Sequence, residues 1–89
     1  MKNALAITIK GRVQGVGFRF SAVNKAQQLG LKGFVQNRID GSVYIEAEGD
    51  PEDLNEFVQW CWQGPPSARV DDITKQEIPV RDYHRFGVQ

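Results

Sequence analysis

Residues 11–19 combine glycines and an arginine in an order that suits the binding of an anion. Gly11, Gly15 and Gly17 fall within seven positions, and Arg19 follows at the predicted start of a helix. Glycine lets backbone N–H groups approach a ligand closely, because it has no Cβ. The first N–H groups of a helix lack partners inside the helix, and a guanidinium can bind two phosphate oxygens at once. The segment therefore predicts a site for a phosphate-sized anion.

A second interpretation of this segment needs no ligand. Its glycine spacing matches neither the nucleotide P-loop, which ends in Gly-Lys-Ser/Thr, nor the G-x-G-x-x-G dinucleotide fingerprint. An ordinary glycine-rich turn between a strand and a helix would look the same, with Arg19 in solvent. A cation in the first turn, however, opposes the positive end of the helix dipole unless an anion binds there. The segment alone leaves both interpretations open.

Residues 33–49 contain a second pattern, in which Asn37 follows a short apolar run and precedes the hairpin signal Asp40-Gly41. Together with residues 11–19, this segment closely resembles the paired signatures of the acylphosphatase family. The first signature reads G-x-V-Q-G-V-x-F-R, and every fixed position of both is matched at the family's spacing. The likeness continues through the Gly-Pro-Pro run at residues 64–66, so it covers essentially the whole chain.

The resemblance implies that the chain hydrolyses an acyl phosphate, the mixed anhydride of a carboxylate and phosphate. The leaving carboxylate is a weak base, so positioning and charge stabilisation can supply most of the catalysis. The resemblance assigns Arg19 to the phosphate oxygens and Asn37 to the attacking water, since an amide has no useful basicity. It assigns the phosphate cradle to the backbone N–H groups of Gln14, Gly15, Val16, Gly17 and Phe18.

Alternatives remain at three levels. Asn37 could instead form a turn before Asp40-Gly41, because asparagine favours turns. The side chain of Gln14 could brace the loop rather than touch substrate. The whole chain could be a phosphate- or carbamoyl-phosphate-binding module of the same fold with little turnover, similar to the acylphosphatase-like domain within hydrogenase-maturation proteins.

Composition narrows the class of protein and its partners. The 89 residues suit one domain spanning residues 1–89, and 11 basic and 11 acidic residues give no net charge. A nucleic-acid binder usually has a basic excess, so we expect no nucleic acid, and no apolar stretch is long enough for a membrane span. His84 and Cys61 have no ligand spacing, so we expect neither metal nor cofactor. A lone cysteine favours the cytoplasm, and we expect a monomer with a small-molecule substrate.

Periodicity predicts the elements that position these residues. Apolar residues alternate with polar ones at residues 5–9 and 43–47, which is typical of half-buried strands, and residues 31–36 form another short strand. Helical stripes follow the glycine loop up to Leu29 and follow Asp50-Pro51 up to residue 63. The stripe positions are residues 22, 23, 26 and 29 in the first helix and residues 54, 57, 58 and 61 in the second.

The predicted order is βαββαβ with a short extra edge strand at residues 86–88. It indicates an α+β, ferredoxin-like sandwich, with two helices on one face of an antiparallel sheet. The fourth strand lacks clean alternation, which predicts a bulge near Asp71-Asp72. Glu46 and Glu48 alternate with apolar residues, so we expect them on a solvent-facing or helix-free surface.

Overall fold

The computed structural model describes all of residues 1–89, and its elements follow the predicted order. Two helices lie between strands of a single sheet. The strands are β1 (Asn3–Arg12), β2 (Lys32–Asn37), β3 (Val43–Gly49), β4 (Arg69–Ile78) and β5 (Phe86–Val88), and the helices are α1 (Phe18–Gln28) and α2 (Pro51–Gln63).

The sheet has the strand order β4-β1-β3-β2-β5. The four strands β4, β1, β3 and β2 pair antiparallel, whereas β5 pairs parallel to β2. The ferredoxin-like α+β fold is therefore confirmed, but the sheet is mixed rather than wholly antiparallel. The reason is topological: the chain crosses from β4 at one edge to the other edge and enters β5 in the direction of β2.

The core lies between the sheet and both helices. Sixteen buried residues form one cluster, in which the inward side chains of β1 and β3 meet both helical stripes. Helix α1 packs on β2 and β5, while α2 packs on β4, β1 and β3. This packing fixes the start of α1 beside the end of β2, where the two signature segments meet.

Helix α1 ends one residue before its predicted end, with Leu29 as the C-cap. The Gly30 N–H donates to the Gln27 carbonyl oxygen at 3.1 Å, and Gly30 takes a φ of 70°. The Leu31 N–H donates to the Ala26 carbonyl oxygen at 2.9 Å. This pair of hydrogen bonds is a Schellman motif, which stops the helix and turns the chain into β2.

Helix α2 begins as predicted, with Asp50 at the N-cap position and Pro51 as the first helical residue. The Asp50 side chain makes no capping hydrogen bond, and its carboxylate lies 3.7 Å from the amino group of Met1. The predicted stripe is confirmed as the buried face of the helix, formed by Leu54, Phe57, Val58 and Cys61. Neither helix is long and apolar enough to cross a membrane.

Strand β4 contains the predicted bulge near Asp71-Asp72. Its register against β1 shifts after Lys10, and Asp71 is the extra residue. Gly11 lies opposite the bulge, where a Cβ would collide with the carbonyl oxygen of Arg69. Gly11 therefore allows two strands to approach each other. Its place in the glycine pattern had suggested that it approaches a ligand, and this prediction is wrong for Gly11.

The connection between β4 and β5, residues 79–85 and here called the strap, crosses the sheet face that carries no helix. Glu48 of β3 is only 1% exposed beneath it. The carboxylate of Glu48 accepts hydrogen bonds from the backbone N–H groups of Arg81 and Tyr83, the latter at 2.9 Å. The Tyr83 hydroxyl donates to Glu46 Oε1 at 2.8 Å. The face is helix-free, as expected, but Glu48 does not face solvent, because the strap covers it.

Candidate functional site

A cavity of about 370 Å³ lies where the glycine loop, the start of α1, the end of β2 and β5 meet. Gly15, Gly17 and Arg19 line it from the first signature segment, and Asn37 lines it from the second. Residues separated along the chain thus share one wall. The fold brings them together because β1, which precedes the loop, and β2, which ends in Asn37, both pair with β3.

The backbone of the loop offers a row of free donors. None of the N–H groups of residues 14–20 donates a hydrogen bond to another part of the chain. Gly17 caps α1 with a left-handed φ of 81°, a conformation that glycine adopts without strain, and its carbonyl accepts the first helical bond from the Ser21 N–H. Free N–H groups at a helix start form an anion-binding surface.

Arg19 adds a full positive charge to this surface. The residue is exposed and lines the cavity, and its guanidinium takes part in none of the salt bridges of the molecule. The first turn of α1 contains no acidic residue either. Arg19 and the helix start therefore present unneutralised positive potential together, an arrangement that an anion stabilises.

Asn37 is the last residue of β2, with its backbone paired to Val43 of β3. Its side-chain oxygen Oδ1 is buried and accepts no hydrogen bond from any group of the protein. An unpaired buried carbonyl oxygen costs about 1–3 kcal/mol, so Asn37, a residue of the cavity lining, carries an acceptor that no group of the protein satisfies. The hairpin turn does not use this side chain.

Asp40 and Ser42 hold the turn that follows Asn37. The backbone N–H and the hydroxyl of Ser42 both donate to Asp40 Oδ1, at 2.9 and 2.6 Å. These hydrogen bonds, the side-chain one first, lower the pKa of the Asp40 carboxyl from its ordinary value. The Asp40 side chain therefore stabilises the turn. Turn formation was the alternative role that the sequence had left open for Asn37.

Gln14 connects the glycine loop to the same turn. Its side-chain amide nitrogen donates to the carbonyl oxygens of Arg38, at 2.7 Å, and Ser42, at 2.9 Å. Both amide hydrogens are thereby used within the protein, which is the bracing role that the sequence had left open. The brace ties the loop that carries the free N–H groups to the turn that follows Asn37.

Two further predicted residues contribute backbone rather than side chain. Phe18 is only 1% exposed, and its ring lies 5.5 Å from the ring of Trp60 in the core, so its N–H is the group open to a ligand. Val16 packs its side chain partly against the core and is not part of the cavity wall. Gly15 and Gly17 have no side chains, so at these two positions the loop presents only its backbone to the cavity.

Sequence reasoning missed the apolar part of the wall, formed by Phe20, Val23 and Val88 beside Val13. A signal for Phe20 was present, since a phenylalanine beside Arg19 lies off the predicted stripe of α1. No signal for Val88 existed, because its place depends on the parallel pairing of β5 with β2, in which Val88 lies opposite Val35.

The two residues with reactive or metal-binding side chains lie elsewhere. Cys61 is buried on α2, and burial raises the pKa of its thiol well above the ordinary value. His84 is exposed on the strap. No group of three His, Cys, Asp or Glu side chains is arranged to hold a metal ion. The groups available to an anion at the cavity are therefore the Arg19 guanidinium and backbone N–H groups. The Asn37 side-chain oxygen is an acceptor for a neutral hydrogen-bond donor.

Comparison with known proteins agrees with the two signature segments. The Acylphosphatase family profile matches residues 5–88. An acylphosphatase from a Nocardioides species is 40% identical over 89 residues, covering 100% of this chain and 90% of that protein. The crystal structure of acylphosphatase from Bacillus subtilis superposes with a TM-score of 0.96 at 40% identity, covering 100% of this chain and 99% of that one.

A larger protein also contains the fold. Full-length HypF, in a phosphate- and nucleotide-bound form, superposes with a TM-score of 0.90 at 37% identity, covering 100% of this chain but 12% of that one. The two small relatives, by contrast, are covered over 90% and 99% of their own length. Profile, identity and coverage agree, and this chain belongs to the acylphosphatase family.

Proposed function

We propose that the cavity binds the phosphate of an acyl phosphate and that Arg19 and Asn37 carry its hydrolysis. One observation supports this most strongly. The cavity is lined by residues 15 and 17–20, whose N–H groups are free, by the unpaired Arg19, and by Asn37, which carries an unpaired buried amide oxygen. The first two are donors for a phosphate, and the third is an acceptor for water. A phosphate and a water are the two reactants that hydrolysis of an acyl phosphate must bring together.

The donors act on the phosphate. The N–H groups of Gln14, Gly15, Val16, Gly17 and Phe18 cradle its oxygens, and the planar guanidinium of Arg19 binds two of them. These groups are fixed before the substrate arrives, so they stabilise the charge that the transferring phosphoryl group carries in the transition state. The Gln14 side chain keeps the loop in place through its bonds to Arg38 and Ser42.

Asn37 acts on the water. Its Oδ1 accepts one hydrogen of the water and holds the water oxygen in line with the phosphorus and the leaving oxygen. The new bond forms between the water oxygen and phosphorus, and the bond between phosphorus and the acyl oxygen breaks. The carboxylate leaves with the bonding pair, and the water proton passes to a phosphate oxygen or to that carboxylate. No general base is required.

We further propose that residues 1–89 act as a single acylphosphatase-like domain and as a monomer in the cytoplasm. One hydrophobic cluster joins both helices to the sheet. The one chain brings both Arg19 and Asn37 to the cavity. Light scattering under assay conditions gives the mass directly, and we expect a specific activity that is independent of protein concentration.

Hydrolysis of benzoyl phosphate in oxygen-18 water tests the proposed reaction. We expect repeated turnover, competitive inhibition by inorganic phosphate, and the label in the phosphate rather than in benzoate. Label in the benzoate would mean that water attacks the carbonyl carbon, and the roles given to Arg19 and Asn37 would then be wrong.

A second candidate is a phosphate- or carbamoyl-phosphate-binding module with little turnover. The likeness to HypF, described in a phosphate-bound form, favours it, because the same fold there covers a small part of a larger chain. A multiple-turnover experiment, with benzoyl phosphate in large excess over the protein, separates the two. An enzyme releases benzoate in excess of its own concentration, whereas a binding module shows phosphate affinity without a steady state.

A further inference from the structure

One part of the cavity wall carries apolar side chains instead of donors for a phosphate, and this part is partly exposed to solvent. Phe20 is 72% exposed and Val88 is 55% exposed, yet both line the cavity together with the half-buried Val23. The Phe20 ring joins none of the aromatic pairs of the molecule. Packing within the chain therefore does not account for a phenylalanine at this position.

The positions of these side chains relate them to the reacting groups. Phe20 follows Arg19 in the first turn of α1, and Val23 lies three residues further, on the same side of the helix. Val88 lies opposite Val35 in the β2–β5 pair, and Val35 precedes Asn37 by two residues on β2. The apolar wall, defined here as Phe20, Val23 and Val88, thus adjoins both the phosphate ligand and the residue assigned to water.

The polar groups of the cavity are already assigned. Arg19 is the sole ionisable side chain in the lining, and Asn37 is the sole amide. A carboxylate or ammonium on the acyl chain of a substrate would face the apolar wall without a partner, at the cost of its hydration. A cavity of about 370 Å³ lies within the size range of sites that take a whole small molecule, so it has room beyond a phosphate.

We propose that the apolar wall binds the acyl group of the substrate and selects neutral, bulky apolar acyl phosphates, above all aromatic ones, over acetyl phosphate. This inference rests on the proposed function and adds the substrate class to it. An aromatic acyl group can bury its face on the Phe20 ring and on the two valines, while an acetyl group reaches little of this surface. The discrimination resides in binding, because the wall touches no reacting atom.

Kinetics with two substrates test the proposal. For the wild type we expect kcat/KM for benzoyl phosphate to exceed that for acetyl phosphate by about tenfold or more, the scale of apolar discrimination in enzyme pockets. Phe20→Ala should lower the benzoyl value about tenfold through KM and leave the acetyl value and inhibition by phosphate within about twofold. Phe20→Leu should restore part of the benzoyl value. Trp62→Ala, which removes an exposed aromatic ring outside the cavity, is the matched control and should change neither.

Binding measurements keep this test independent of turnover. Benzoylphosphonate and acetylphosphonate carry the same two acyl groups on a bond that water does not cleave, and calorimetry gives their affinities. We expect the wild type to bind the benzoyl compound more tightly and Phe20→Ala to lose that preference, even if neither acyl phosphate is hydrolysed and the proposed function fails. Equal losses for both phosphonates and for inorganic phosphate would overturn the proposal, as would a wild type that binds both phosphonates equally.

Discussion

Arg19 and Arg12 are both exposed arginines of the first signature segment, and only Arg19 lines the cavity. We expect Arg19→Ala to lower kcat/KM for an acyl phosphate by about 100- to 1000-fold, the scale of losing one transition-state charge donor. Inhibition by phosphate should weaken in parallel, and Arg19→Lys should restore part of both, because an ammonium lacks the planar fork. Steady-state kinetics measure these effects.

Arg12→Ala is the control for this prediction, since it removes the same charge from a neighbouring surface. It should leave kcat/KM within about twofold. Thermal unfolding of either variant should differ little from the wild type, as is usual for exposed side chains. Wild-type kinetics in Arg19→Ala would contradict the phosphate-binding role.

Asn37 offers a prediction that separates water from phosphate. We expect Asn37→Ala to lower kcat by about 100-fold while the inhibition constant of phosphate stays nearly unchanged, because the missing interaction is made with water. The free energy of unfolding should also change little, since Oδ1 makes no hydrogen bond in the protein. Lost phosphate binding with turnover retained would exchange the two roles, and a variant that unfolds would favour a structural role.

The residues assigned to phosphate and water could be predicted from the sequence because their signals are local. The loop glycines, Arg19 and Asn37 fall within two short patterns whose spacing alone carries the resemblance. The bracing of Gln14 could not be settled that way, because its partners lie 24 and 28 residues along the chain. Phe20 and Val88 belong to the cavity for an equally non-local reason, the meeting of α1 with β5.

At the scale of elements, the strap holds β5 against the sheet. At the end of the strap, the Gly33 N–H donates to the Arg85 carbonyl at 2.9 Å, and the next residue, Phe86, is buried against Phe57 at a ring distance of 6.1 Å. Sequence alternation placed Glu48 on a strand face correctly but could not reveal its burial, since its cover comes from residues 33 and 35 positions away. The pairing of the strands could be predicted from the sequence, whereas the path of the strap across the sheet could not.

Glu48→Gln tests whether this buried carboxylate fastens the strap. Each carboxylate oxygen of Glu48 accepts one backbone N–H, from Arg81 and from Tyr83, whereas an amide would set its own NH₂ against one of those donors. Hydrogen bonds to a charged group contribute about 1.5–3 kcal/mol each, so we expect a loss of unfolding free energy on the order of 2 kcal/mol in urea denaturation. Glu77→Gln, an exposed β4 position, is the control and should be neutral.

Because the strap leads into β5, Glu48→Gln should also weaken the cavity wall at Val88. We expect KM for benzoyl phosphate to rise while inhibition by phosphate is unchanged. A variant as stable as the wild type would contradict the fastening role. Native-state hydrogen exchange at Tyr83 and Val88 would show whether the strap and β5 loosen together.

Tyr83 gives the strap a dependence on alkaline pH. Burial, followed by the hydrogen bond to Glu46, raises the pKa of Tyr83 to about 12, and burial also raises the pKa of Tyr44. A group whose pKa is higher in the folded state stabilises the fold fully below its unfolded pKa, here near 10, and loses that contribution as the pH rises toward 12. Tyrosinate absorbance should therefore appear later in the folded protein than in urea, and stability should fall in the same range.

Tyr83→Phe is the variant that checks this assignment. It removes the ionisable hydroxyl and keeps the ring against Phe34, with centroids 5.8 Å apart. The alkaline loss of stability should shrink in this variant, while stability at neutral pH should fall by the amount of one hydrogen bond to a carboxylate, about 1.5 kcal/mol. An unchanged alkaline profile would assign the transition to another group.

For the whole molecule, charge is balanced overall but not at the site. The chain has 11 basic and 11 acidic residues, and carboxylates take part in the turn, the contacts of the strap and the surface pairs. None lines the cavity, so the positive potential of Arg19 and the α1 start is not cancelled there. A neutral protein can thus attract an anion by local placement alone.

This placement leads to the prediction that activity does not depend on a divalent ion. In many phosphoryl-transfer sites a metal ion supplies positive charge, and here Arg19 and the loop N–H groups are placed to supply it. We expect kcat/KM to be the same before and after dialysis against a strong chelator, and added Mg²⁺ or Zn²⁺ to have no activating effect. His84→Gln should likewise leave the pH profile unchanged, because His84 lies exposed on the strap rather than in the cavity. Chelator-sensitive activity that one specific ion restores would mean that the phosphate is held by more than this chain's own donors.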